Sequence, residues 1–246
     1  MKVDRDKCIG CLQCVPYCPM RAISKVKDER RVDIDQDRCV ECGTCERVKV
    51  CEPAALFQPP SPWPRAVRGD FSNPIVEHKQ TGIPGRGTEE MKTNDVTARF
   101  RPGRVGIAVE LGRPGIGARF YDVEKIAMAA AQFGVEFEPK NPVTFLLVDK
   151  EKGKIDPEVL NERVLSAIVE FDVAVEQAPV VLAGLREASR TLDTVCSVNL
   201  CSVLGPDEEN PLPGVELPPG VFLSFNGKTN VGLGRPRNPL WQETHR

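Results

Sequence analysis

Eight of the ten cysteines fall between Cys8 and Cys51, in two copies of one spacing. The first copy is Cys8-x2-Cys11-x2-Cys14-x3-Cys18-Pro19. The second is Cys39-x2-Cys42-x2-Cys45-x5-Cys51-Glu52-Pro53. A repeat this dense leaves little room for an ordinary hydrophobic core. Whatever folds there must be organised around the sulfurs. Disulfides are one way to use them, but Met1 to Cys8 (MKVDRDKC) has no apolar run to act as a secretion signal. A reducing compartment keeps thiols free for metal. A zinc site on Cys8, Cys11, Cys39 and Cys42 would use two pairs and leave Cys14, Cys18, Cys45 and Cys51 unexplained.

Three cysteines at every third position, then a fourth followed at once or one residue later by a proline, form the bacterial iron–sulfur run. On these motifs residues 1–57 resemble the bacterial two-[4Fe-4S] ferredoxins. The resemblance covers less than a quarter of the chain. It implies two [4Fe-4S] clusters, with the fourth cysteine of each run ligating the other cluster. Cluster one would take Cys8, Cys11, Cys14 and Cys51; cluster two would take Cys39, Cys42, Cys45 and Cys18. The flanking pattern agrees with such a module. Ile23 to Lys27 and Arg31 to Asp35 alternate around Asp28-Glu29-Arg30 and predict a hairpin. Pro19 and Pro53 predict short helices over Met20–Ile23 and Ala54–Leu56. Ile9, Val40, Ile23, Ile34 and Leu56 are expected as apolar cover, and Gly10 and Gly43 let backbone N–H groups approach sulfur. The second run departs from the first in its five-residue loop Glu46–Val50, and Glu52 adds an acidic group beside Cys51.

After Phe57 the composition changes. Gln58-Pro-Pro-Ser-Pro-Trp-Pro-Arg forces an extended path, and residues 58–104 read as a Pro/Gly-rich connector or docking arm anchored by Trp63, Phe71, Ile75 and Phe100. Gly82, Gly85 and Gly87 beside Arg86 are a candidate anion nest, outweighed by an ordinary glycine-rich turn. His78, in a polar loop, reads as solvated.

Residues 105–246 read as an α+β sandwich domain of no recognisable family, which makes the whole chain α+β: a ferredoxin-type module, an extended connector and a second domain. Strands are expected at Val105–Leu111 and Val143–Val148. Helices are expected from Asp122 to Gly134, from Asp156 to about Phe171 on a Leu160/Val164/Ile168/Phe171 stripe, and from Pro179 to Asp193. Asn226-Gly227 signals a hairpin near the end. Gly112-x2-Gly115-x-Gly117 between strand and helix reads first as a tight turn. It is also a candidate anion site, with Arg113, Gly115, Gly117 and Arg119 as its binding residues. Cys196 and Cys201 read as buried apolar thiols.

Net charge is near zero, with 33 basic and 35 acidic residues, so no bulk attraction to nucleic acid is expected. No stretch is apolar enough for direct membrane insertion. No catalytic triad, paired-carboxylate site or HExxH motif is present. The expectation is a cytoplasmic iron–sulfur electron-transfer protein. It would be the ferredoxin-like subunit, or the dedicated electron donor or acceptor, of an oxidoreductase complex. The alternative is an oxidoreductase or a metabolite-sensing redox regulator whose second domain binds a flavin or a small anionic ligand.

Overall fold

A computed structural model describes residues 1–80, 82, 100–113, 115–204 and 217–222. Most of the candidate nest at 82–87 and the Asn226-Gly227 signal lie outside them. The cysteine-rich segment carries its own small core, built from Met1, Ala22, Ile23, Val32, Ile34, Leu56 and buried cysteines. Two short ribbons frame it: β1 (Lys2–Val3) with β4 (Leu56–Phe57), and β2 (Ile23–Lys25) with β3 (Val32–Ile34). The hairpin is therefore where the alternation puts it, with Ile23 opposite Ile34.

The expected helices after the prolines do not form. Residues 19–22 turn straight into β2, and residues 52–55 turn into β4. The reason is local: Arg21 and Ala54 adopt left-handed backbone, with φ of 51° and 50°. That turn aims the next amide at the preceding cysteine, so Ala22 N donates to Cys18 Sγ at 3.1 Å and Ala55 N donates to Cys51 Sγ at 3.2 Å. The extra loop residues after Cys45 continue a single helical turn, α1 (Thr44–Arg47).

The connector holds a helix, α2 (Ala66–Ser72), that its proline-rich entry obscures. Val67 and Phe71 are 1% and 2% exposed and belong to the larger, second core. Phe71 meets Phe120 edge-to-face with ring centroids 5.1 Å apart. Of the expected anchors, Phe100 is buried too, whereas Trp63 and Ile75 stay exposed.

That second core lies between a four-stranded antiparallel sheet and its helices. The strands are β5 (Arg104–Leu111), β7 (Glu136–Phe137), β11 (Ala167–Ala174) and β12 (Cys196–Ser202), in the order β12-β5-β11-β7. Val109 pairs with both Val169 and Val198, which fixes the register. Val105, Ile107, Val109 and Leu111 join Ala167, Val169, Phe171 and Val173 in that core. With them pack the buried faces of α3 (Phe120–Ala131) and α5 (Ala178–Ser189). Small elements complete the unit: β6 (Ala118–Arg119) with β10 (Arg163–Val164), and α4 (Pro142–Leu146) leading into β8 (Leu147–Asp149), which pairs with β9 (Lys154–Ile155).

Three expectations are corrected here. The helix expected from Asp156 is a turn followed by β10 and β11. Its stripe was an accident of a strand buried on both faces, where Ile168, Glu170 and Asp172 are also shielded. Val143–Leu146 is helical because Asn141 caps it, accepting from Val143 N at 2.8 Å, with Pro142 in the first turn. And α3 begins at Phe120; Asp122 lies inside its first turn, buried, paired with Lys125 and accepting from Asp193 N. The helix from Pro179 is present as α5, one residue longer at its start and ending at Ser189.

Candidate metal centre

The two cysteine loops are built alike, residue for residue. Asp4 Oδ1 accepts from the amides of Asp6 and Lys7, and Cys8 N donates to Asp4 O at 3.0 Å. Asp35 does the same for Asp37, Arg38 and Cys39, the last at 2.9 Å. Each loop then has left-handed residues two and four positions after its first cysteine: Gly10 and Leu12 in one, Glu41 and Gly43 in the other, with φ between 54° and 67°. Such a path curls the chain so that successive cysteines face one centre. At Gly10 the path also has a steric reason, since a Cβ there would lie 2.3 Å from the Arg30 carbonyl carbon.

The sulfurs gather in two places. Cys8, Cys11, Cys14 and Cys51 line one cavity, with Val3, Val32 and Leu56 among its apolar walls. Cys18, Cys39, Cys42 and Cys45 line a second, walled by Met1, Met20, Ile23 and Ile34. Both cavities are partly open to solvent. In each, three cysteines come from one run and the fourth from the other. Among the described residues no three His, Cys, Asp or Glu side chains converge as ligands of a single ion would.

The electrostatics fit a cationic occupant. Burial pushes the Cys45 thiol up to about 12, aided by Cys42, Cys18, Cys39 and Cys14. Cys14 is raised by burial and by Cys51, Cys11 and Cys8. Four crowded, half-dry thiols resist ionising unless iron supplies the positive charge, and thiolate is the form that binds it. The Ala22 and Ala55 amides, already aimed at sulfur, would then bond to the charged form.

The two sites differ in their cover. Ile9 and Leu12 are 54% and 38% exposed, while their counterparts Val40 and Gly43 are buried. Ile9 thus does not provide the buried cover expected of it. The second loop is wrapped by the connector: Gln58 donates to Glu41 O, Arg65 to Glu41 Oε1 and Gln36 O, and Arg47 to Asn73 Oδ1. Arg68, 5% exposed, reaches Gln36 O, Asp37 O and Cys39 O at 2.9, 3.1 and 2.8 Å, and its Nε pairs with Glu162. Sequence reasoning missed Arg65 and Arg68. The available signal was their i, i+3 spacing ahead of Phe71, one helical face just after the prolines.

The Gly112–Gly117 turn sits against the first module: a Cβ on Gly117 would meet Met20 Cε at 2.6 Å. Gly117 N donates to Gly112 O at 2.8 Å, closing a tight turn. Gly115 is exposed, 3.5 Å from Pro19 O by the same measure. Of the candidate anion-binding arginines, Arg113 pairs with Glu110 at 3.2 Å. Arg119 donates to both carboxylate oxygens of Asp37 at 2.7 Å. Asp37 is accordingly held below the usual carboxylate range by the Arg119 hydrogen bonds. His78 is not solvated: it is 4% exposed, edge-on to Phe71, with Nδ1 lacking a partner. Cys196 and Cys201 lie half-buried on β12, five residues apart and so on opposite faces. No helix among the described residues is long and apolar enough to cross a membrane.

Residues 7–55 match the 4Fe-4S dicluster domain family. The same segment is similar to the pyruvate synthase subunit PorD of Methanothermobacter marburgensis, 42% identical over 43 residues, which is 18% of this chain and 47% of that one. The chain therefore spans less than half the length of that curated relative. No solved structure matches. The N-terminal segment is a dicluster iron–sulfur domain with two [4Fe-4S] clusters; residues beyond it match nothing found.

Proposed function

We propose that the chain is an electron-transfer component of an oxidoreductase complex. The observation that carries this is the pair of cysteine quartets, each drawn from both runs and each surrounding a walled cavity. Cys8, Cys11, Cys14 and Cys51 hold cluster one; Cys18, Cys39, Cys42 and Cys45 hold cluster two. A bound [4Fe-4S] cluster supplies one-electron chemistry. The chain's residues fix the thiolates, exclude water through Val32, Ile23, Ile34 and Leu56, and offer amides to sulfur. They provide no acid, base or nucleophile.

The remaining residues determine where the module docks. Helix α2 of the 58–104 stretch packs into the second core, and the described part of 105–246 forms the rest of a second domain, braced to the first through α2 and the Gly112–Gly117 turn. The open Cys8–Leu12 loop is where an electron partner approaches, because its counterpart is already covered. The partner is another subunit of an oxidoreductase, in a reducing, cytoplasmic setting. The printed name of the PorD relative, a pyruvate synthase subunit, makes a complex of that kind the first to test.

Anaerobically purified protein should contain about eight irons and eight sulfides per chain, the content of two cubanes. A value near four refutes the two-cluster assignment. Anaerobic purification of the tagged chain from its native cell should bring an oxidoreductase subunit with it in fixed ratio. Recovery of the chain alone, fully loaded with iron, counts against the complex.

A further inference from the structure

We infer that the second domain sets the reduction potential of cluster two through an arginine collar on the Cys39 loop. This rests on the placement of a cluster on Cys18, Cys39, Cys42 and Cys45 proposed above. The collar comes from three parts of the chain. Arg65 and Arg68 lie at the start and within α2, Arg119 ends β6, and Arg163 opens β10 opposite Arg119. Arg68 places one guanidinium nitrogen on three carbonyls of the loop, including that of the ligand Cys39. Arg119 grips Asp37 two residues before it. Arg163 adds a buried Nε without a hydrogen-bond partner, on the strand paired with that of Arg119. Against these stand Glu41, held by Arg65 and the Met1 ammonium, and Glu162, held by Arg68.

The first loop has no such setting. Its counterparts of Asp37 and Glu41 are Asp6 and Gly10, and among the described residues no arginine side chain bonds to its backbone. Arg68 and Glu162 are the shielded pair of the collar, and shielded charges act on a nearby centre far more strongly than solvated ones such as Asp37. Net charge and hydrogen bonding at the ligands are among the levers that set an iron–sulfur potential. An added electron at cluster two is thus stabilised by the collar and opposed by Glu162. Both Arg119 and Glu162 belong to the second domain. That domain acts here as a positioning and tuning device.

Redox titration of the full chain, followed by electron paramagnetic resonance, tests this. Cys11→Ser, at the exposed ligand, identifies which step belongs to cluster one. Glu162→Gln, which removes a negative charge at constant shape, should raise the midpoint of cluster two. Arg119→Gln, which removes a positive charge and its hydrogen bonds to Asp37, should lower it. The cluster-one step should stay in place in both. Opposite shifts confined to one step are not expected of simple loosening, which would move both variants in one direction or both clusters together. Unmoved midpoints, equal shifts of the two steps, or loss of iron in both variants would overturn the inference. Iron and sulfide analysis of the unaltered protein is done first; a result short of two clusters would overturn the underlying assignment instead.

Discussion

His78 shows how a residue can mislead when only its neighbours in sequence are visible. It lies among polar residues, yet Phe71 and Phe145 enclose it and its Nδ1 has no partner. Burial pushes its pKa below the ordinary histidine value, with Asp70 opposing. The folded state therefore resists protonation that the unfolded chain accepts. Stability from neutral His78 is present above the unfolded pKa of about 6.5 and is lost as pH falls through that value toward the lowered folded one. Asp70 is raised by burial and acts in the opposite sense, but lower, near the carboxylate range. His78→Leu should flatten the stability profile as pH falls below the ordinary histidine value of about 6.5. Parallel anaerobic denaturation of both proteins at several pH values checks it, and identical slopes would refute it. A second prediction at this scale concerns Gly10. Its left-handed backbone and the Arg30 carbonyl 2.3 Å from a would-be Cβ leave no room for a side chain. Gly10→Ala should cost at least about 1–2 kcal/mol from conformation alone, and iron retention on dilution should fall with it.

Among elements, α2 joins the two cores. Phe71 is 2% exposed and packs on Phe120. Phe71→Ala should destabilise the second domain by about 3–5 kcal/mol, read as a lower midpoint in urea. The dicluster module, with its separate core, should unfold at a less altered concentration; coincident loss of both would mean that α2 makes them one cooperative unit. The cysteine loops and the β2–β3 hairpin were legible because short-range spacing and period-two alternation dictate them. The Ala167–Ala174 strand was not. Both of its faces are buried, so Ile168 and Phe171 satisfied a helical stripe as readily as an extended one, and only pairing with β5 decides between them. The wrong helices after Pro19 and Pro53 have another origin. Proline permits a helix start, but an amide needed at the cysteine sulfur takes the backbone elsewhere. Arg65 and Arg68 were hidden because their role depends on a tertiary fold that brings loop carbonyls to them.

At the scale of the whole molecule, the internal repeat gives its own control. Two loops of one design differ in what the rest of the chain does to them. The Cys39 loop is covered by the connector and braced to the second domain, and the Cys8 loop is left open. Equivalent positions should then respond differently to the same change. Val40 is 1% exposed; Val40→Lys buries an unpaired ammonium against the second cavity and should expel that cluster, leaving about four irons per chain. Ile9 is 54% exposed; Ile9→Lys places its charge in solvent, so all eight irons should remain. The lysine would nevertheless stand on the open loop proposed above as the partner's landing place. Electron exchange between Ile9→Lys and the co-purified oxidoreductase should slow at least about tenfold, the effect of losing roughly 1.4 kcal/mol of association. Reduction by a small soluble dye, which needs no docking, should be unchanged. If both rates fall together, Ile9 shapes the cluster site itself. If neither falls, the partner approaches another face and the open loop is not its landing place.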